Sequence, residues 1–286
     1  ASEQLLRAQV ARELDAAAEA HGTPRRTLLL NAAPPKARSA KGPIDLQIAD
    51  SPTVVVLSTT GKAVRVDLAD GQVLAPAARR SKHDAVLASI ATTTRGEIGA
   101  VTSAGRVLRF SPVDLPSVPS SSVHLSAGVA LRDYIGLLDK SERVIGLLRF
   151  DDDTPYAMGT RTGVVKRIVP SALPVRPETE VIGLKAGDAL VGAASAPDTA
   201  EIVFVTSDAQ LHYSASSVRP QGGPAGGMAG VKLGSGADVI AFSVVANAED
   251  AIVVTISGAD GTIAGTDAGR AKVSSFTEFP AKGRAT

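Results

Sequence analysis

The spacing of apolar and polar positions changes once along the chain. In residues 3–21, "EQLLRAQVARELDAAAEAH", Leu6, Val10, Leu14 and Ala17 fall on one helical stripe. Gly22 can close that helix and Pro24 prevents its continuation. Residues 25–42, "RRTLLLNAAPPKARSAKG", are basic and Pro/Ala-rich and read as a linker, apart from the short apolar "TLLL". From residue 43 to the end, short β-branched runs alternate with turn clusters, as at 54–57, 98–101, 202–205 and 252–256. Only 128–143 is ambiguous between helix and strand. The pattern divides the chain into a helix (1–24), a linker (25–42) and an all-β domain (43–286).

The β region repeats. "STTGKAVRV" (58–66), "TSAGRVLRF" (102–110) and "TRTGVVKRI" (160–168) share one arrangement, and aligning all copies on the small turn residue gives Gly61, Gly105, Gly163, Ala209 and Gly269. Three residues earlier stand Ser58, Thr102, Thr160, Thr206 and Thr266; four later stand Arg65, Arg109, Arg167, Tyr213 and Val273. Eleven later stand Gln72, Pro116, Pro174, Pro220 and Pro280. The glycine supplies the positive φ of a tight hairpin, and the hydroxyl can bond backbone within the turn. Asp208-Ala209 departs from that rule, so the fourth turn is expected to differ in type. A repeat of roughly 45–60 residues holding about four strands has the size of a propeller blade, which must stack on its neighbours to bury its faces. The expected fold is therefore all-β and propeller-like, with five or six four-stranded blades after a short N-terminal helix.

Composition narrows the chemistry. Of 286 residues 44% are apolar but 3% aromatic, with no Trp, so the core must be built from Val, Leu, Ile and Ala. The absence of Cys excludes disulfides and cysteine–zinc sites and suits a cytoplasmic protein. No stretch has the length of an apolar membrane span. The segment "ASEQLL" enters a helix without an initiator Met, as expected of part of a longer protein.

Net charge is only +1, so the placement of the cations matters more than their sum. They recur on the hairpins and the loops after them: Lys62, Arg65, Arg79, Arg80 and Lys82 in the first copy, Arg106 and Arg109 in the second. Arg161, Lys166 and Arg167 follow in the third, Arg219 and Lys232 after the fourth, and Arg270, Lys272, Lys282 and Arg284 in the fifth. On a pleated strand the adjacent Lys166 and Arg167 face opposite sides, so at least one is expected near a rim. Cations at equivalent points of a disc would form a belt matching a phosphate backbone. The alternative is an interaction propeller whose cations are ordinary solvated surface or edge-strand protection.

At this point the sequence resembles a known family, the C-terminal region of the A subunit of bacterial type IIA topoisomerases. "VARELDAAAEAHGTPRRTLLL" resembles the exit from the cleavage core; "PYAMGTRTGVVKRI", "VFVTSDAQLHYSASSVRPQGGPAGGMAGVKL" and "TDAGRAKVSSFTEFPAKGRAT" resemble blade phrases of the tail. The resemblance implies a β-pinwheel whose basic perimeter binds and bends double-stranded DNA, with the sixteen cations above as candidate contacts. It also implies an A-subunit homodimer formed through the upstream core, an ATPase B subunit, ATP and Mg2+ bound elsewhere in the holoenzyme, no cofactor here, and a nucleoid-associated location. Gyrase carries a basic box close to Q-R-R-G-G-K-G in its first blade. The matching loop here, "QVLAPAARRSKHDAV" (72–86), keeps Arg79, Arg80 and Lys82 but has no Gly pair, which resembles topoisomerase IV.

Independent catalysis is not expected. His21, His83, His124 and His212 have no metal-ligand spacing, and "DDD" (151–153) reads as an acidic turn. "GSGAD" (234–238) lacks the Lys-Ser/Thr and helix of a phosphate loop. Tyr134, Tyr156 and Tyr213 are nucleophiles in name only, because the family's cleaving Tyr belongs to the upstream core.

Overall fold

Three hairpin turns are built alike. Gly61, Gly105 and Gly163 have φ of +80°, +80° and +86°, and each donates its N–H to the carbonyl of the Ser or Thr three residues earlier. The hydroxyls add bonds of their own: Ser58 Oγ accepts from Thr60 N–H at 3.1 Å and Thr160 Oγ1 from Val164 N–H at 3.2 Å. The computed structural model describes residues 2–22, 49–68, 72–208, 210–257 and 270–286. The expected linker and the turn positions Ala209, Thr266 and Gly269 lie outside these.

Two units are distinct, 1–47 and 48–286. In the first, α1 (Glu3–His21) has its apolar stripe exposed, and Gly22 N–H closes it onto Ala18 O at 2.8 Å. In the second, β1 (Pro52–Ser58), β2 (Lys62–Asp67) and β3 (Val86–Thr93) precede β4 (Ile98–Thr102), β5 (Arg106–Phe110) and β6 (Val129–Ala130). Then come β7 (Val144–Arg149), β8 (Tyr156–Thr160), β9 (Val164–Ile168), β10 (Glu178–Glu180), β11 (Leu190–Ser195) and β12 (Glu201–Thr206). The last are β13 (Gln210–Ser214), β14 (Met228–Ala229), β15 (Val239–Val245), β16 (Ile252–Ser257) and β17 (Arg270–Ser275). The ambiguous stretch 128–143 resolves into β6 and a single helical turn, Leu131–Tyr134.

The sheets follow one rule. Their orders are β3-β1-β2-β6, β7-β4-β5-β10, β11-β8-β9-β14 and β15-β12-β13. In each, a later strand returns to pair with the hairpin's first arm. In the first three, the second arm receives a short outer strand that arrives only after the next hairpin has been made. Thus β6 follows β5, β10 follows β9 and β14 follows β13. The repeated prolines sit in this returning segment: Pro116 O accepts Arg65 N–H at 2.9 Å, and Gln221, after Pro220, donates to Arg167 O at 2.8 Å. Lys282, after Pro280, donates to His212 O at 3.0 Å.

The β unit is thus a propeller-like arrangement of four blades. Five or six four-stranded blades are not found among the described residues: β16 and β17 form a two-stranded ladder. The reason is topological. After β17 the chain returns to the fourth blade through Lys282, and no third strand pairs with β16 among the described residues, leaving Ile252, Val254, Ile256 and Val273 exposed.

The core lies between successive blades. Val55, Leu57 and Ala63 of the first pack with Ile98, Ala100 and Leu147 of the second. Val101, Val107 and Leu148 of the second meet Tyr156, Met158 and Ile168 of the third. Ala157 and Val165 of the third meet Ile202, Phe204 and Phe242 of the fourth. With so few aromatics, these close contacts use glycine. Gly159 and Gly192 form the seat of the Phe242 ring and backbone, and a Cβ at Gly159 would stand 2.2 Å from Phe242 Cδ2. Gly159→Ala is expected to lower stability by about 1–3 kcal/mol by overpacking this interface. A thermal melt unchanged from the parent would contradict the close seat.

Candidate nucleic-acid interface

The cations that made the repeat visible do not share one environment. Arg167 is 1% exposed. Its Nη1 donates to Ala215 O (2.7 Å) and Val218 O (2.9 Å), and its Nη2 to Ala196 O (2.8 Å) and Asp198 Oδ1 (2.7 Å). These carbonyls belong to the segments flanking the next hairpin, so Arg167 ties the third blade to the fourth. Lys166 is 0% exposed on the opposite face, with Nζ donating to Gly222 O (2.6 Å), Gly223 O (2.5 Å) and Ala225 O (2.7 Å). Burial pushes its pKa down to about 8, opposed by the field of Glu180.

The other arginines of this register, and their neighbour Arg106, are half-buried and paired. Arg65 forms a 2.9 Å ion pair with Asp67 and donates to Val113 O at 2.5 Å. Arg109 pairs with Glu97 at 3.0 Å, its guanidinium 3.5 Å from the centroid of Phe150. Arg106 lies between Glu142 (2.5 Å) and Glu178 (2.7 Å). Those two hydrogen bonds, Glu142 first, raise the arginine's pKa, while Arg106 holds the buried Glu142 below the usual carboxylate range. Lys62 Nζ donates to Ser126 O at 2.8 Å.

This corrects two expectations. Neither Lys166 nor Arg167 reaches a rim, because backbone carbonyls on each face of the sheet take up both cations. Arg65, Arg106 and Arg109 have carboxylate partners already. The sequence displayed the cations but not the carbonyls and acids folded against them. Asp67, two residues after Arg65 and so on the same strand face, was the one legible hint.

The other ten candidates are exposed: Arg79, Arg80, Lys82, Arg161, Arg219, Lys232, Arg270, Lys272, Lys282 and Arg284. Arg79 and Arg80 precede a short 3₁₀ turn, Lys82–Asp84, capped by Ser81. Asp84 accepts the N–H groups of Ser81 (2.5 Å) and Leu125 (2.8 Å), fixing the loop to the first blade; these bonds, Ser81's first, hold its carboxyl below the ordinary range. Arg161, in a hairpin turn, donates to Gly187 O.

The C-terminal segment gathers a second group. Lys282 N–H donates to His212 O, Ala285 N–H to Gly230 O at 2.8 Å, and Lys232 N–H to Thr286 O at 3.1 Å. Arg284 Nη1 donates to Ala229 O at 2.6 Å. Lys232, Lys282 and Arg284 are therefore brought together at the outer edge of the third and fourth blades. His212 anchors the approach: Nε2 is 2.9 Å from Phe279 O, and the ring lies against Phe276 with centroids 4.6 Å apart. Other exposed cations outside the repeat register include Lys140, Arg143, Arg176 and Lys185. No periodic signal marked them.

The tyrosines and the acidic turn sit in ordinary structural surroundings. Tyr134 donates to Ser111 O at 2.7 Å, and burial raises the Tyr156 and Tyr213 phenols above their ordinary values. Asp151 pairs with Arg149, Asp152 accepts Thr154 N–H, and Asp153 accepts the Ser171 hydroxyl, as suits an acidic turn.

Known proteins with these features agree with the resemblance. The family described as the DNA gyrase C-terminal domain, beta-propeller, matches residues 100–151 and 263–286. The DNA gyrase A subunit of Escherichia coli K12 is 27% identical over 218 residues, 73% of this chain and 23% of that protein. Its counterpart in Aminobacterium colombiense is 29% identical over 222 residues, 74% of this chain and 26% of that protein. The chain thus spans about a quarter of the length of these relatives. In fold it is similar to the C-terminal domain of DNA topoisomerase IV (TM-score 0.62, 21% identity, covering 84% of this chain and 72% of that one). The E. coli ParC C-terminal domain gives 0.52 at 16% identity (82% and 91% covered), and the DNA gyrase A C-terminal domain 0.52 at 14% (82% and 75%). The likeness extends to gyrase in sequence and to both enzymes in fold.

Proposed function

We propose that this chain is the DNA-binding and DNA-bending C-terminal domain of a type IIA topoisomerase A subunit, of the topoisomerase IV kind. The observation that supports it is the sorting of cations. The buried and half-buried ones are held by carbonyls and carboxylates inside the β unit, whereas ten stand exposed on turns, loops, outer segments and β17. Such cations suit a phosphate backbone laid along the edge, bound without regard to sequence. Bending follows if one duplex engages both the Arg79–Arg80 loop and the Lys232–Lys282–Arg284 group.

In the holoenzyme the domain would present DNA to a cleavage core shared by two A subunits, with a B subunit hydrolysing ATP and with Mg2+ bound outside this chain. No helix among the described residues is long and apolar enough to cross a membrane, in keeping with a nucleoid-associated role in the cytoplasm. The missing Gly pair in 72–86 supports decatenation and relaxation. The gyrase reading, in which the tail wraps DNA for negative supercoiling, draws on the names of the sequence relatives.

A duplex of roughly 40 base pairs with a fluorophore at each end tests bending directly, its length being enough to follow a curved edge. Energy transfer should rise on adding the chain at low salt. Binding without a rise would remove bending from the proposal. A topology assay of the full enzyme separates the two kinds: decatenation alone supports topoisomerase IV, and negative supercoiling supports gyrase.

A further inference from the structure

The segment 131–143, between β6 and β7, is pinned at both ends. Leu131 is fully buried, and its N–H donates to Gly61 O at 2.9 Å. Gly136, at φ +72°, turns the chain, and Leu137 N–H closes onto Arg132 O at 2.8 Å. At the far end Arg143 O accepts Ser103 N–H at 2.8 Å, and Arg143 N–H donates to Ser103 Oγ at 3.0 Å. Glu142 beside it is locked onto Arg106. Lys140 and Arg143 are thereby carried to a fixed place at the start of β7.

That place is the edge of a cavity of about 590 Å³. β3, β7, β11 and β15 each end their sheets on the side of the hairpin's first arm, and consecutive ones lie side by side. The cavity lies among them. Leu87, Val144, Ile145, Val191 and Phe242 give it apolar walls drawn from all four blades. Four charged residues also line it, Arg132, Lys140, Glu142 and Arg143. Two of these are committed: Arg132 donates to Asp139 O and Lys140 O, each at 3.1 Å, and Glu142 holds Arg106. The nearby Asp139 carboxylate accepts the Ser141 N–H (2.8 Å) and hydroxyl (2.7 Å). The side chains of Lys140 and Arg143 are exposed and make no hydrogen bond or ion pair to described residues. The cavity thus presents apolar walls with two unpaired positive charges at one side.

We propose that this cavity binds a small organic acid, its apolar body against Leu87, Val191 and Phe242 and its acid group between Lys140 and Arg143. The volume falls in the range of small-molecule sites, about 300–1,000 Å³, and such sites fix orientation through a few polar groups on a mainly apolar wall. Burial of the body supplies non-directional attraction. Charge-assisted bonds to the two cations supply the preference for an anion. The site is independent of the DNA reading, because neither cation belongs to the proposed binding edge.

The test is methyl NMR of the chain carrying ¹³C-methyl alanine, with anilinonaphthalene sulfonate as the probe. Ala130, Ala193 and Ala194 line the cavity. Ala271, opposite Ile256 on the exposed apolar face of β17, reports binding elsewhere. The three cavity methyls should move and saturate while Ala271 stays in place. Phenylnaphthylamine, the same body without the sulfonate, should bind about tenfold more weakly, the scale of one charge-assisted bond. Replacing both exposed cations, Lys140→Glu with Arg143→Glu, should weaken the sulfonate by at least about tenfold and leave the melt unchanged. Ser243→Phe, at an exposed position that lines the cavity, should narrow it and weaken both probes. Cavity methyls that stay in place with both probes overturn the proposal. Equal affinity for the two probes, or indifference to the double charge reversal, overturns the acid ligand. Movement of these methyls by a DNA duplex, abolished by the same reversal, assigns the two cations to the DNA surface and overturns the proposal as well.

Discussion

Replacing Arg167 with leucine should lower the stability of the β unit by about 3–5 kcal/mol, the scale for removing one partner of a buried ionic cluster. The side chain donates to three carbonyls and to Asp198. Leucine would leave the carbonyls of Ala196, Ala215 and Val218 without those donors and fill only part of the space. At about 2–4 °C per kcal/mol for a domain of this size, the melting temperature should fall by roughly 10 °C. Arg161→Leu, on an exposed turn of the same hairpin, should change stability by less than about 0.5 kcal/mol. If Arg167 instead lay on a DNA track, its replacement would leave the melt unchanged and weaken DNA binding as much as Arg161→Leu does.

The second large effect should be on binding, with stability untouched. Arg79, Arg80 and Lys82 are exposed, and their side chains make no hydrogen bond to described residues. Replacing all three with alanine should preserve the melting temperature. If two or three of them touch phosphates, the slope of log K against log salt concentration should flatten by about 2–3, and affinity at 0.1 M salt should fall by roughly 100-fold. An unchanged slope would take the 72–86 loop out of the binding surface. The backbone of that loop is held by Asp84 through Ser81 and Leu125, so the variant tests charge rather than loop order.

Much of the blade was legible because its turn imposes a residue. Positive φ at Gly61, Gly105 and Gly163 demands glycine, and the hydroxyl three residues before completes the turn, so the hairpins stood out as repeats. The fourth strand was not legible. β6 and β14 are two residues long, and their partners lie far upstream: Ala130 pairs with Lys62 and Met228 with Val165. Nothing so short carries a periodic signal. Five or six blades are not confirmed, for a related reason. The fifth copy has the hairpin's second arm and its proline, but a blade also needs a strand returning to the first arm, and β16 receives none among the described residues.

The sequence displayed the cations but not their surroundings. Period and spacing identified Arg65, Arg109 and Arg167 as equivalent, which they are. Their equivalence lies in bracing the blades, since each strand position faces the incoming segment of the next repeat. An arginine that satisfies four acceptors in the interior and one that meets a phosphate outside look alike in sequence; the difference is the set of carbonyls the fold brings to it. The exposed cations come mostly from loops and outer segments, where the sequence had weaker grounds for choosing them.

The most direct test of this division is the affinity of the chain for a roughly 40-base-pair duplex, measured from low to moderate salt. Binding through exposed cations should give a straight line of log K against log salt concentration with a steep negative slope, about 0.9 per phosphate contacted. It should be indifferent to base sequence. No duplex binding at low salt, or an affinity that does not change with salt, would contradict the account.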